Sequence, residues 1–398
     1  MKEVFIYDAI RSARTRAKDS GGLHSLTPPA LLKQLYLALE TRNRLDPQWV
    51  SEVILGCVTQ QGEQAANIAK TSALYAGWPD HVAGLTVQRF CSSSIDALAI
   101  AALKVASGQS TAIVAGGIEM MSRIPMLSDN ARVFSDPAYA VENQMLLMGS
   151  GADLIATRIG ATREDCDAVA LQSQRRADRA QREGRFSSII PISTDNGDII
   201  LDECIRPNLS TESLAGLAPA FAALGASGAD AVQLARFPEL AAIAHVHTAG
   251  NSPAMCDAAA VVLLGDRALA ERLGCAPVAR LVASTTACGE PFEVVSGCID
   301  ATQKLLNEQG LTVADIDLFE IHEAFAATVI KSRQVLGVDN DQLNVNGGVI
   351  ALGHPMGATG AIMAGTLIDE LRRRDLNRGV VAASGAAGSG SALLLQRA

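Results

Sequence analysis

The residues best suited to chemistry begin with Val87-Gln88-Arg89-Phe90-Cys91-Ser92-Ser93-Ser94-Ile95-Asp96-Ala97-Leu98. A short polar–apolar run reaches Cys91, three serines follow, and a small-residue helical pattern continues to about Ser107. Ser92 or Ser93 suits the cap of that helix, which places Cys91 at or just before its amino end. Free N–H groups and the helix dipole at such an end favour a thiolate over a thiol, and hence a nucleophile. The competing reading is a buried structural cysteine, one of eight in the chain.

Three further stretches offer partners. Asn346-Gly347-Gly348 leads through Gly353-His354-Pro355-Met356-Gly357 to Gly360, setting one histidine among glycines just before a proline that fits a first helical turn. A neutral imidazole in that setting can take a proton from a thiol, and the glycines let a thioester come close. Glu320-Ile321-His322-Glu323-Ala324-Phe325 puts a histidine and a carboxylate at a strand-to-helix junction. Ser384-Gly385-Ala386-Ala387-Gly388-Ser389-Gly390 is too poor in side chains to build a core, and suits a turn that clears space or offers N–H groups. His245 and His247 alternate on an expected strand and read as structural. Gly388-Ser389-Gly390 lacks the following helix and acidic partner of a dinucleotide fingerprint. In Gly250-Asn251-Ser252-Pro253-Ala254, proline and alanine stand where a hydrolase nucleophile elbow needs a tight turn.

Something large must position these residues. At 398 residues the chain is long enough for two domains or two fused similar halves. With 48% hydrophobic but only 4% aromatic residues, its core is aliphatic and alanine-rich. A net charge of −9 argues against a nucleic-acid partner and leaves an anionic ligand to local cations or helix ends. The cysteines form no C-x-x-C pair and show no zinc-type spacing with the histidines, so no metal site is expected. The beginning, Met1-Lys2-Glu3-Val4-Phe5-Ile6-Tyr7, has a strand pattern without signal-peptide features, and no apolar run approaches membrane-spanning length. A reduced cytoplasmic protein is expected.

Along the chain, strands are expected at Val4–Ile10, Val53–Val58, Leu85–Gln88 and Thr111–Gly117, with helices at Pro28–Arg44 and Gln64–Tyr75. That alternation implies a parallel sheet covered on both faces. Met121 to about Thr248 is more polar and reads as an inserted, more solvated subdomain, with one clear helix over Arg163–Glu183. Its Arg175, Arg176, Arg179 and Arg182 read as a solvated face. The rhythm resumes with strands at Val278–Ala287, Leu318–Ile321, Val380–Ala383 and Ala392–Leu395. Helices are expected at Val294–Gln309, at Glu323–Leu336 and from near Pro355 to Arg374. Two similar halves follow from this pattern, at about 1–120 plus 249–276 and 277–398, with 121–248 inserted.

Taken together, these stretches resemble the thiolase family, over essentially the whole chain. The cysteine turn matches its acyl-accepting nucleophile, Gly353-His354-Pro355 its base motif, and His322-Glu323-Ala324-Phe325 its Asn/His-Glu-Ala-Phe motif. In the inserted region, Met148-Gly149, Gly184-Arg185-Phe186 and Pro219-Ala220-Phe221 match as well. The resemblance implies an α/β fold of two fused halves in five αβαβα layers with a loop subdomain over the site. It implies carbon–carbon cleavage of 3-oxoacyl-CoA by coenzyme A, or the reverse Claisen condensation, in a homodimer or homotetramer with a possible β-oxidation partner subunit. Coenzyme A enters as co-substrate, with no covalently bound cofactor. Cys91 is then the acyl carrier, His354 the base, and His322 the holder of a water or the thioester oxygen. The backbone N–H groups of Cys91 and Ala386 form the oxyanion hole. Met148, Ser252, Pro253 and Phe325 fall at substrate-binding positions.

One departure matters. Thiolases place a second cysteine where this chain has Ser384, and that thiol moves the proton on and off the substrate's α-carbon. A serine hydroxyl is a far weaker acid. Ser94, Ala386 and Ala387 also replace usual glycines, and Pro253-Ala254 a usual Ser-Gly. Two alternatives therefore stand beside carbon–carbon chemistry. One is an acyl transferase or thioesterase that loads Cys91 and passes the acyl group to a non-carbon acceptor or water. The other is a non-catalytic acyl-CoA-binding subunit.

Overall fold

Two sets of strands with the same order build the chain, whose computed structural model describes residues 1–398. The first set is β1 (Val4–Arg11), β2 (Glu52–Gly56), β3 (Ala83–Val87), β4 (Ala112–Met120) and β5 (Cys256–Gly265). The second is β6 (Ala279–Cys288), β7 (Leu318–Ile321), β8 (Arg378–Ser384) and β9 (Ser389–Arg397). Across the sheet the first set runs β3-β2-β4-β5-β1, with β2 parallel to both neighbours and β5 antiparallel to both of its own. The second runs β7-β8-β9-β6, parallel at β7–β8 and antiparallel beyond. Where the first half has β3, the second has a single parallel bridge from Leu343 to Phe319. Counting that bridge, both halves read third, second, fourth, fifth, first. Pairing of Val4–Ile6 with Ala279–Leu281 joins them edge to edge in one sheet, whose tenth strand is the two-residue Thr15–Arg16 paired with β5.

The parallel sheet expected from the alternation is thus corrected to a mixed one. β8 and β9 are connected by the short turn Gly385–Gly388, and a short turn can join only antiparallel neighbours.

The main helices are α1 (Pro28–Asn43), α2 (Ile68–Tyr75), α3 (Ser93–Ala106), α4 (Met148–Ile159), α5 (Arg163–Arg182), α6 (Gly297–Gln309), α7 (Ala326–Leu336) and α8 (Thr359–Arg373). Three cores separate five layers. Leu31, Leu35 and Ile68 of α1 and α2 pack on Val53, Val114 and Val261. On the other face of the same strands, Ile54, Ile113 and Val262 meet Ile95 and Leu98 of α3 and Ile362 and Leu367 of α8. That central layer is closed from beyond by Val381, Leu393 and Leu395. Finally Val380, Ala382 and Leu394 turn outward to Leu305 of α6 and Val329 of α7. The period-two split of Val380 and Ala382 from Val381 and Ala383 explains the unbroken apolar run Val380–Ala383 inside β8: both of its faces are buried there.

Low aromatic content also has a packing reason. A Cβ on Gly360 of α8 would lie 2.4 Å from Ile95 Cγ1 and 2.9 Å from the Ile95 backbone nitrogen, so α3 and α8 touch nearly backbone to backbone.

Some helix starts move. The helix expected from Val294 begins at Gly297, because Val294 sits at φ 56°, outside helical geometry. The one expected from Glu323 begins at Ala326, after an extended Phe325. Between Met121 and Thr248 lie α4, which the sequence pattern missed, α5, shorter helical turns and one hairpin of Ile192–Thr194 with Gly197–Ile199. Arg176 is not part of a solvated face. Its guanidinium donates to the carbonyls of Asn340 and Leu343, both at 2.7 Å, and so holds the bridge residue of the second half. A buried bidentate pair, Arg11 to Asp202 at 2.8 and 2.9 Å, fastens the inserted region to the end of β1. No helix is long and apolar enough to cross a membrane.

Candidate active site

Cys91 and His354 come from equivalent places in the two halves. Each lies just before the central-layer helix of its half, Cys91 before α3 and His354 before α8. Because those helices pack on each other, their leading turns meet, and Cys91 Sγ lies 3.0 Å from His354 Nε2. The other ring nitrogen, Nδ1, lies 2.8 Å from Thr359 Oγ1 at the start of α8. With the proton on Nδ1 donated to Thr359, Nε2 is the acceptor that faces the thiol. The His354 N–H donates to Ala254 O at 2.7 Å, so the Ser252-Pro253-Ala254 segment steadies the base from behind. On the nucleophile side, Phe90 takes a positive φ of 49° to turn Cys91 inward.

The serines do not cap α3. Ser92 occupies the cap position without a side-chain bond to the helix; its hydroxyl donates to Ala383 O at 2.8 Å. Ser93 Oγ instead accepts from Arg89 N and donates to Phe90 O. Neither is Cys91 held as a thiolate. Burial, with a contribution from Glu119, pushes its thiol up to about 12. Desolvation also drives His354 well below the usual imidazole range, with His322 and Arg14 adding to it. The resting pair is therefore a neutral thiol facing a neutral imidazole, because a closed apolar pocket penalises both charges.

His322 completes the cluster. Its ring centroid is 4.5 Å from that of His354, and the reactive atoms of Cys91, His322 and His354 lie within 4.8 Å of one another. Both His322 ring nitrogens are buried without a hydrogen-bond partner, and desolvation lowers the ring to about 3. Next to it, Glu323 is structural: it accepts from Ser173 Oγ at 2.7 Å and from Ile350 N at 3.2 Å, locking α5 and the 346–350 turn in place.

Ser384, at the end of β8, has its hydroxyl fully engaged. Oγ donates to Val295 O at 2.8 Å and accepts from Cys298 N at 3.0 Å. The following turn brings Gly385 and Ala386 to a cavity of about 50 Å³ at Cys91, walled by Phe90, Met126, Phe134, Met148 and Met356. Outside the helices and strands, the N–H groups of Cys91 and Ala386 donate to no backbone or side-chain acceptor. Phe325 lies further off, edge-on to Phe221 and His247 at 5.7 and 5.4 Å. Ser252 Oγ is buried without a partner. The stretch carrying His245 and His247 forms no strand, contrary to expectation, but both histidines bind Asp153, at 2.8 and 2.7 Å, which fits their structural reading.

One residue at the site went unseen in the sequence. Glu119 is the single acidic side chain of the buried strand β4, where it accepts four hydrogen bonds beneath Cys91 and His354. A charge inside an otherwise apolar run was the available signal.

A thiol facing a histidine, beside a turn with free N–H groups, at the centre of a duplicated five-layer fold, defines an acyltransferase that works through a thioester on the enzyme. The comparisons narrow this. The thiolase N-terminal domain model matches residues 4–236, and the thiolase C-terminal domain model matches residues 275–397. A 3-ketoacyl-CoA thiolase of Colwellia psychrerythraea is 35% identical, with all of both chains covered. So is, at 34%, a 3-oxoadipyl-CoA/3-oxo-5,6-dehydrosuberyl-CoA thiolase of Escherichia coli. The crystal structure of the Bacillus anthracis acetyl-CoA acetyltransferase superposes with a TM-score of 0.85 at 33% identity, covering 100% of this chain and 99% of that one. The chain belongs to the thiolase family, and it is an acyltransferase of that type.

Proposed function

We propose that this chain cleaves 3-oxoacyl-CoA with coenzyme A, or runs the reverse condensation, through an acyl thioester on Cys91. The observation that carries the reading is the 3.0 Å contact between Cys91 Sγ and His354 Nε2. As Sγ attacks the 3-oxo carbon, its proton passes to Nε2 and negative charge gathers on the carbonyl oxygen. The N–H groups of Cys91 and Ala386 receive that charge, a contribution of about 3–4 kcal/mol when one donor is lost. Breakage of the carbon–carbon bond leaves the acyl group on Cys91 and an enolate of the shortened thioester, which gains at its α-carbon the proton that His354 took and departs, leaving the imidazole neutral again. His322, with both ring nitrogens free, holds a water or the thioester oxygen. Coenzyme A then takes the acyl group: its thiol gives a proton to His354 as it attacks, the thioester bond to Cys91 breaks, and His354 returns that proton to the departing Cys91 sulfur. No metal and no covalently bound cofactor has a place in this sequence of steps.

Met148 lines the cavity at Cys91, and Ser252, Pro253 and Phe325 are assigned to substrate binding on the family resemblance. The inserted region 121–248 covers the site, and the halves divide at 1–120 plus about 249–276 and 277–398. A homodimer or homotetramer in the cytoplasm, with a possible β-oxidation partner subunit, completes the reading.

Ser384 supports a second reading. Its hydroxyl is committed on both sides and cannot serve the α-carbon as a thiol would, which favours acyl transfer to a non-carbon acceptor. The deciding experiment measures single-turnover acylation of Cys91 and steady-state thiolysis of 3-oxoacyl-CoA on the native enzyme and on Ser384→Cys. Thiolysis that rises in the variant, with acylation unchanged, supports carbon–carbon chemistry limited at Ser384. Carbon–carbon cleavage undetectable in both leaves acyl transfer alone. Absence of any acyl-enzyme by mass spectrometry makes the chain a binding subunit.

A further inference from the structure

Glu119 is fully buried, and no lysine or arginine reaches it. Oε2 accepts from Val58 N at 2.9 Å and from Gly357 N at 3.0 Å. Oε1 accepts from Thr59 N at 3.0 Å and from Gln64 Nε2 at 2.9 Å. All four neighbours are donors, and a carboxyl proton here would point at an N–H with nothing to accept it. Burial favours the protonated acid, but this donor set accommodates only the carboxylate.

The two bonds on Oε2 span the halves of the molecule. Val58 follows β2 of the first half and lines the Cys91 cavity; Gly357 belongs to the His354-Pro355-Met356-Gly357 turn of the second. Close packing at Gly117, where a Cβ would lie 2.3 Å from Gly357 O, leaves that turn resting on β4. The titratable groups facing the carboxylate are the Cys57 and Cys91 thiols; His354 touches Cys91 Sγ at 3.0 Å, and His322 and Arg14 act on His354 in turn.

We infer that Glu119 is a positioning residue for acyl transfer: it clamps the base-bearing turn of one half to the nucleophile's pocket in the other, and its charge makes proton transfer accompany attack rather than precede it. A fixed negative charge opposes a free thiolate on Cys91. The same charge favours the imidazolium that His354 becomes once the proton has moved, while the new anion sits on the acyl oxygen at the N–H groups of Cys91 and Ala386. This inference rests on the assignment of Cys91 and His354 as nucleophile and base, but its main readout, alkylation of Cys91, needs no acyl transfer.

Two variants separate clamp from charge. Glu119→Gln keeps the size and removes the charge; Glu119→Asp keeps the charge and withdraws it from Gly357. Acylation of Cys91 should slow in both by about 10²-fold, the scale of a misplacement near 1 Å. Iodoacetamide labelling of Cys91, followed against pH, should shift to lower pH by about one unit or more in Glu119→Gln and stay in place in Glu119→Asp. A merely structural role would lower acylation without that split. Acylation within about threefold of the native enzyme in both variants overturns the clamp. An unshifted profile in Glu119→Gln overturns the electrostatic part. Should Glu119→Gln fail to fold, the native profile decides: labelling that levels off below about pH 9 shows a thiolate the buried charge should have forbidden.

Discussion

The two halves share a strand order and a central-layer helix, yet one presents a thiol at the head of that helix and the other an imidazole. The scaffold around the tips differs too. In the first half β3 is a full strand beside β2, whereas the second keeps only the Leu343 bridge and spends the released chain on the glycine-rich turn leading to His354. A duplicated scaffold thus fixes where the two helix heads meet, and each half is free to change what it carries there.

The sharpest way to break the comparison is to remove one tip at a time. Cys91→Ala should abolish acyl-enzyme by mass spectrometry while leaving circular dichroism unchanged. His354→Ala should retain the thiol but slow acylation by roughly 10²–10⁴-fold, the usual size of a general-base contribution. Equal and complete loss in both would mean that the tips act only as a pair. Native acylation should be flat across neutral pH, since the thiol titrates near 12 and the imidazole well below its ordinary range.

Next in size is the anchor that only the first half possesses. Asp202→Asn leaves Arg11 without its buried counter-charge and should cost roughly 3–5 kcal/mol in denaturant unfolding. A loss below about 1 kcal/mol would place the hold of the inserted region elsewhere. Overpacking the shared layer tests the symmetry itself: Gly360→Leu drives a side chain into Ile95 and should destabilise by about 1–3 kcal/mol, with acylation falling as α3 and α8 separate.

The smallest effect belongs to the second half alone. Burial pushes Glu370 up, but Arg373, Asn346 and Arg374 outweigh it and hold the carboxyl at about 2. A folded carboxyl this acidic adds stability that is complete above its unfolded value and is lost as pH falls toward 2. Urea midpoints of the native protein should therefore fall between about pH 5 and pH 3 more steeply than those of Glu370→Gln, by a difference on the order of 2 kcal/mol. Parallel curves would show that Asn346 and its turn are held without that charge.

Much of the site was legible because its residues sit in stretches with no other use. A histidine flanked by Gly353 and Gly357, or a turn as bare as Gly385–Gly388, has little to contribute to a core. Helical cover on both faces of the sheet followed from the strand–helix alternation, whereas the five layers came with the family resemblance. What stayed hidden depended on partners distant in sequence. Arg176 reads as surface until Asn340 and Leu343 arrive, and Ser92 reads as a cap until Ala383 offers a better acceptor. The ionisation of Cys91 was misread for the same reason: a helix end alone favours thiolate, and only the closed pocket with Glu119 reverses it. The roles of Met148, Ser252, Pro253 and Phe325 rest on resemblance alone.

The thiol and its base are separated by 263 positions along the chain. At ribosomal speeds of about 5–20 residues per second, the nucleophile emerges on the order of 10–50 s before the imidazole that activates it. Throughout that interval α3 has its alanine-rich face turned toward a layer that does not yet exist, because α8 and the second half's strands are still being made. Biosynthesis therefore passes through a long-lived, half-finished chain with an uncovered greasy surface. That interval, more than the finished molecule, is when a chaperone has something to hold.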